Sequence, residues 1–248
     1  MPAREQRSAS SGIALAVSAT MGRCWSADSP ARTRAARAYP ARDKEVDVRL
    51  RNEGGEPVVV QSWLDLGDPR QAPDAIRVPF VLMPPMVRLD AGRSQIVRLV
   101  YTGDPMPADR ESVFWLNVLE IPPKANKDAQ QNMLQFAIRS RIKVFFRPDG
   151  IQGKPEDAAA ALTWSVVHEG DRYLLEAVNR SPYHVSISGV ALEEGGKNLQ
   201  GGDGMIEPQG RHRFALKDLH AQPAHPRVSY VAIDDFGASR EYAATPAP

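Results

Sequence analysis

The chain runs to 248 residues, long enough for one large or two ordinary domains, and its 42% hydrophobic and 25% charged residues match an average soluble globular protein. A formal net charge of +1 supplies no field suited to nucleic acid. The 21 prolines and 18 glycines, scattered between short apolar runs, favour an all-β chain with many turns, and no window forms an uninterrupted membrane span.

At the amino terminus, Arg4 and Arg7 precede the apolar run Gly12 to Met21, and small residues follow at Ser26-Ala27 and Ser29-Pro-Ala31. Basic, apolar and small segments in that order predict a secretory leader over residues 1–31; a tail or a misplaced start codon is the alternative. Cys24, the only cysteine, falls in or beside this leader, so the mature chain is expected to carry no disulfide. That does not exclude an oxidising compartment. Arg32, Arg34, Arg37, Arg42 and Lys44 form a basic cluster without the aromatic interleaving used to hold single-stranded nucleic acid, which favours a solvated or anion-anchoring role.

Further along, Val46, Val48 and Leu50 alternate with charged residues as in a half-solvated antiparallel strand. Glu53-Gly-Gly-Glu56 makes the turn into a second strand, Pro57 to Leu64. A loop from Asp65 to Asp74 then leads to a strand over Ile76 to Leu82. Two longer strands follow, within 110–123 and 133–148. In the second, Leu134, Phe136 and Ile138 alternate with Gln135, Ala137 and Arg139. A strand from Leu134 to Phe146 would measure about 43 Å at roughly 3.3 Å per residue. Such a length fits either a central strand buried on both sides or an edge left open to pair with another chain.

After Pro148, Asp149-Gly150 and Lys154-Pro155-Glu-Asp read as a linker, and the alanines at 158–161 as the start of a short helix that soon gives way to strand-like sequence. Further strands are expected at Tyr173 to Val178, Val185 to Leu192, Arg213 to Leu216 and Val228 to Ile233, with Gly195-Gly196 and Gly201-Gly202 as hairpin turns. The expectation is two β-sandwich domains in series, 32–148 and 149–248. No catalytic residue, metal or cofactor is expected. His168, His184, His212, His220 and His225 lack zinc spacing and read as surface or turn residues, and Ser112 and Ser140 lack a nucleophile elbow.

The run Arg110-Glu-Ser-Val-Phe-Trp-Leu-Asn-Val-Leu-Glu-Ile-Pro-Pro123 is followed by Arg141-Ile-Lys-Val-Phe-Phe-Arg-Pro148. Upstream lie Pro79-Phe80, Pro84-Pro85, Arg88-Leu89, Ala91-Gly92 and Val97-Arg98-Leu99. In this order and spacing the chain resembles the periplasmic pilus-assembly chaperones, the PapD-like family. The resemblance continues more weakly through Asn179-Arg-Ser-Pro-Tyr-His-Val-Ser-Ile187 and Asp234-Asp-Phe-Gly237.

That resemblance implies two immunoglobulin-like sandwiches in a boomerang with an interdomain cleft. It implies a chaperone that caps pilin subunits by donor-strand complementation and passes them to an outer-membrane usher, with possible self-dimerisation when free and no nucleotide or nucleic acid. The pilin's terminal carboxylate would be anchored by Lys143 and an arginine of the first strand. Thr33-Arg34 matches by identity but stands about two residues farther from Tyr39-Pro40 than usual, so Arg34 is favoured and Arg37 is the substitute. Leu134, Phe136 and Ile138 would fill the pilin groove. Because Lys143 differs from them in parity, a bulge or strong twist after Ile138 would be needed to bring them together. Glu111, Arg147 and Asp235 would form an interdomain charge network. The short, cysteine-free loop Lys124 to Asn132 points to the short-loop group associated with rod-like fimbriae. The alternative is a secreted β-sandwich adhesion or ligand-binding protein.

Overall fold

A computed structural model of the chain describes residues 13–16, 36–123, 136–216 and 219–247. It divides into two compact units. One comprises Asp43–Pro105 and Val113–Val144 with the chain up to Arg37; the other comprises Ala38–Arg42, Met106–Ser112 and Phe145–Pro248.

The first unit is a sandwich of two sheets. Its strands are β1 (Ile13–Ala16), β2 (Ala36–Pro40), β3 (Glu45–Asn52), β4 (Val58–Asp65), β5 (Phe80–Met83), β6 (Met86–Leu89), β7 (Ser94–Tyr101), β8 (Ser112–Ile121) and β9 (Ile138–Arg147). They assemble as β1-β3-β7-β5 and β2-β9-β8-β4-β6, and β2 and β9 both run on into the second unit. The alternation in β3 buries Val46, Val48 and Leu50, with Val48 opposite Val97 and Val46 opposite Leu99 of β7. From the other sheet Val60, Leu64, Leu116, Val118, Ile142 and Val144 are buried. Asn52 builds the expected turn: its amide donates to the carbonyls of Glu56 and Leu89 at 2.8 and 3.0 Å, and its carbonyl accepts from Gly54 N–H.

Ile13–Ala16, within the expected leader, lie antiparallel on β3, with Ile13 opposite Asn52 and Ala16 opposite Arg49. Two expectations change here. The strand expected over Ile76 to Leu82 begins only at Phe80, because Pro73 opens a 3-10 turn and Pro79, lacking an N–H, donates nothing to a ladder. The long strand begins at Ile138 and spans ten residues, matching the ten of its neighbour β8. Phe136 and Ala137 precede the ladder, and Leu134 lies outside the described residues.

The second unit holds α1 (Pro155–Ala160), β10 (Thr163–Glu169), β11 (Arg172–Val178), β12 (Val185–Glu194), β13 (Lys197–Ile206), β14 (Arg211–Ala215), β15 (Arg227–Ile233) and β16 (Ser239–Ala244). Its sheets are β10-β11-β14 and β13-β12-β15-β16. Trp164, Leu175, Ile187, Leu192, Ile206, Phe214 and Tyr230 lie in the core between them. The residues read as a linker open α1 instead: Pro155 sits at its start, Glu156 and Asp157 occupy the first turn, and Ala158 and Ala159 pack into the core. Gly195-Gly196 does form a hairpin turn, with φ of 56° and 77°. Gly201-Gly202, read as a second turn, instead lies within β13, where the register shifts against β12 around Val190. A Cβ on Gly201 would come within 2.9 Å of Val190 Cγ1, so close packing is what requires the glycine.

Candidate functional site

Of the residues singled out in the sequence, β9 carries Ile138, Lys143 and Arg147. Ile142, Val144 and Phe146 point into the core, while Arg139, Arg141 and Lys143 lie over the rings of Trp63 and Trp115 on the other face. This is plain alternation, so the three cations share a face and Ile138 falls on the opposite one, with no bulge bringing it to Lys143. Phe136 and Ile138 remain 68% and 47% exposed.

The other edge of β9 is flanked by β2. The Ala41 N–H donates to Arg147 O, and Tyr39 stacks on Phe146, so β2 lies beside the carboxy-terminal half of β9. Among the described residues β2 supplies five residues against ten in β9, and the strand runs on past it at the Ile138 end. Arg37, half-buried, lies within β2. The Lys143 ammonium lies 5.5 Å from the centre of the Trp115 ring. Arg34 lies outside the described residues.

The leading half of β9 is tied down by a group that the sequence reading passed over. Strand pairing puts Trp63 opposite Asn117 and Asp65 opposite Trp115. The Asp65 carboxylate is fully buried. One oxygen accepts from Gly67 N–H and from an Arg141 Nη2, both at 2.7 Å; the other accepts from Asn117 Nδ2 at 2.8 Å and Arg139 Nη2 at 3.4 Å. Asn117, equally buried, accepts the Nε–H of both arginines through Oδ1, at 2.9 and 3.2 Å. Arg139 also donates to Pro69 O and Arg141 to Gly67 O. The two guanidiniums stack on Trp63 and Trp115 at 4.8 and 4.7 Å. The sequence signal is an Arg-x-Arg pair facing a tryptophan on each of two neighbouring strands, legible only once those strands are placed side by side.

At the other end of β9 the structure brings Glu111, Arg147 and Asp235 together, all within the second unit. Arg147 donates through Nε to Glu111 Oε1 at 2.7 Å and through Nη2 to Asp235 Oδ2 at 2.8 Å, with its guanidinium 5.3 Å from the centre of the Tyr183 ring. Burial opposes the Arg147 charge, yet the two carboxylates together carry its pKa above the ordinary value. Burial pushes the Asp235 carboxyl up despite the pull of Arg147. His184 belongs to this group as well. Read from the sequence as a surface or turn residue, its side chain is only 4% exposed, stacked on Phe145, and both its backbone N–H and Nδ1 meet Glu111 Oε2. Its place next to Tyr183 in the β11–β12 turn aims it inward.

Two immunoglobulin-like sandwiches in series, with apolar side chains left in solvent at the start of β9, define an all-β chaperone-like architecture in which no convergent catalytic set stands out among the described residues. The family comparison agrees. Residues 30–152 match the pili and flagellar-assembly chaperone PapD N-terminal domain, and residues 157–244 the pili assembly chaperone PapD C-terminal domain. The chain is similar to the protein named "Probable fimbrial chaperone YadV" of Escherichia coli strain K12, 44% identical over 82% of this chain and 84% of that one. It is 41% identical to the chaperone protein FimB/FhaD of Bordetella pertussis, over 83% of each. The crystal structure of the YadV chaperone superposes with a TM-score of 0.75 at 37% identity, covering 94% of this chain and 99% of that one. The chain therefore belongs to the PapD-like family of fimbrial assembly chaperones.

Proposed function

We propose that this chaperone acts in the periplasm, behind a leader spanning 1–31, through sandwich domains at 32–148 and 149–248. It captures a pilin subunit by lending it the leading end of β9, and delivers that subunit to an outer-membrane usher. The observation that carries this reading is the exposure of Phe136 and Ile138 at the leading end of β9. Burying two such side chains in a subunit's open groove is worth roughly 1.5–3 kcal/mol each before ordering costs. Leu134 would extend the row. A strand edge open to a partner offers the backbone ladder that strand addition needs.

The subunit's terminal carboxylate is held by Lys143, with Arg34, or Arg37 as its substitute, as companion. A surface ion pair alone contributes about 0–1 kcal/mol, so the lysine sets register and the apolar row sets affinity. When no subunit is bound, pairing of two copies through the same edge would cover it.

Periplasmic co-purification of a pilin encoded beside this gene tests the reading, with wild type compared to Lys143→Ala and Phe136→Asp. Capture by wild type and loss in both variants is expected. Equal capture by all three would overturn strand donation and favour the secreted adhesion reading.

A further inference from the structure

Cations recur at every second residue on one face of β9: Arg139, Arg141 and Lys143. Side chains two apart on a strand share a face, so a subunit strand pairing with β9 keeps its apolar side toward Phe136 and Ile138 if it slides by two or by four residues. Face matching rejects a slip of one residue and tolerates these. The slipped registers differ from the anchored one in which cation meets the subunit's carboxylate. Arg141 and Arg139 stand about 7 and 13 Å from Lys143 toward the start of the strand. A guanidinium grips a carboxylate in two-point fashion, and so more firmly than an ammonium. Left to themselves, the two arginines would be better anchors than the lysine, in the wrong places.

Both are already engaged. The fully buried Asp65 takes one donor from each, Asn117 takes the Nε–H of each, and the Pro69 and Gly67 carbonyls take further donors. The rings of Trp63 and Trp115 cover one face of each guanidinium. We propose that Asp65 fixes the register of subunit capture by withdrawing Arg139 and Arg141 from competition for the subunit's terminal carboxylate, so that the anchor β9 contributes is Lys143. Asp65 touches no subunit atom in this role. It is a positioning residue, and the inference rests on the Lys143 anchoring proposed above.

A purely structural Asp65 and a register-setting one predict opposite signs in one genetic background. Capture of the neighbouring pilin is measured for wild type, Lys143→Ala, and Lys143→Ala combined with Asp65→Asn, with thermal melting of each chaperone followed by circular dichroism. Lys143→Ala is expected to reduce capture about tenfold. Adding Asp65→Asn frees the arginines and is expected to restore capture at least about threefold over Lys143→Ala alone, although the protein melts lower. Further replacement of Arg139 and Arg141 by Gln should abolish that rescue. If Asp65→Asn melts below the assay temperature, Asp65→Asn with Arg139→Gln, which leaves one unneutralised guanidinium in place of two, takes its place with the same expected rescue. A combined variant that captures no more than Lys143→Ala alone overturns the role of Asp65 and leaves the anchor standing. Wild-type capture by Lys143→Ala overturns both, since an unanchored strand has no register for Asp65 to protect.

Discussion

At the start of β9 two arginines share one carboxylate, and at its end one arginine serves two carboxylates. The two groups have similar hydrogen-bond distances and opposite stoichiometry. The difference matters because the side chains in excess are unlike. Arg139 and Arg141 are long, keep 28% and 22% of their side-chain surface in solvent, and can swing toward water when a partner is lost. Glu111 is short and 1% exposed, so it has nowhere to go. An excess of cations can relax where a buried carboxylate such as Glu111 cannot.

Breaking the carboxylate-rich end should therefore cost most. Arg147→Gln leaves Glu111 charged, buried and facing Asp235, and removal of one partner from such a group costs about 3–5 kcal/mol. Urea denaturation followed by tryptophan fluorescence should show that loss, and replacing Glu111 by Gln in the same protein should recover part of it. A loss below about 1 kcal/mol would mean that the network behaves as an ordinary surface pair.

Asp65→Asn should cost less, about 1–3 kcal/mol by the same measurement, since its hydrogen bonds to charged donors weaken while the arginines turn outward. Hydrogen exchange should locate the change in the leading half of β9 and in residues 65–70, the segments that Asp65 joins. A loss as large as that of Arg147→Gln would refute the argument from side-chain length.

The sequence made the two ends unequally legible. Glu111, Arg147 and Asp235 were found because family resemblance fixes each by a local motif, Arg110-Glu-Ser, Phe-Arg-Pro148 and Asp-Asp-Phe-Gly237, without any knowledge of which strands pair. Asp65 sits at the end of an apolar strand, where it reads as the first polar residue of a loop, and its partners lie 52 and 76 positions away on two other strands. Only the antiparallel register of β4 with β8 and the placement of β9 beside β8 bring them together. His184 was hidden in another way: a histidine after Ser-Pro-Tyr looks like turn decoration, and its burial depends on Glu111 and Phe145 arriving from distant parts of the chain. The sandwich class was readable from β3, β4, β11, β12 and β15, whose apolar residues recur along each run. β13 and β16 were not, because seven of the ten residues of Lys197–Ile206 are glycine or polar and Ser239–Ala244 buries little. The overlong reading of β9 had a related cause: alternation over 134–138 marks side chains kept for solvent or a partner as plainly as it marks a paired strand.

His184 allows the carboxylate-rich end to be sharpened. His184→Phe keeps a ring against Phe145 and removes the Nδ1 contact with Glu111, while the backbone N–H of residue 184 still donates to that carboxylate. The expected loss is about 1 kcal/mol, the worth of one hydrogen bond. In an Arg147→Gln background the same change should cost more, because Glu111 then depends on what remains; equal losses in both backgrounds would show that His184 packs without supporting the charge.

Acidification tests whether burial or pairing governs Asp235, and it carries the smallest effect. Burial raises the Asp235 pKa in the folded protein, against Arg147, so on acidification the folded state takes up this proton before the unfolded state does. Between the ordinary carboxylate value and the raised one, the folded state binds more protons than the unfolded, and stability rises as pH falls. Asp235→Asn lacks that proton. Wild type should therefore gain in melting temperature relative to Asp235→Asn as the pH is lowered through that window, with the difference levelling off once the carboxyl is protonated in both states. Were the ion pair with Arg147 dominant, the folded pKa would be depressed and the slope would reverse, wild type losing ground to Asp235→Asn on acidification. The sign of that slope decides whether the second carboxylate at the end of β9 stabilises the fold through its charge or carries a charge that the fold would be more stable without.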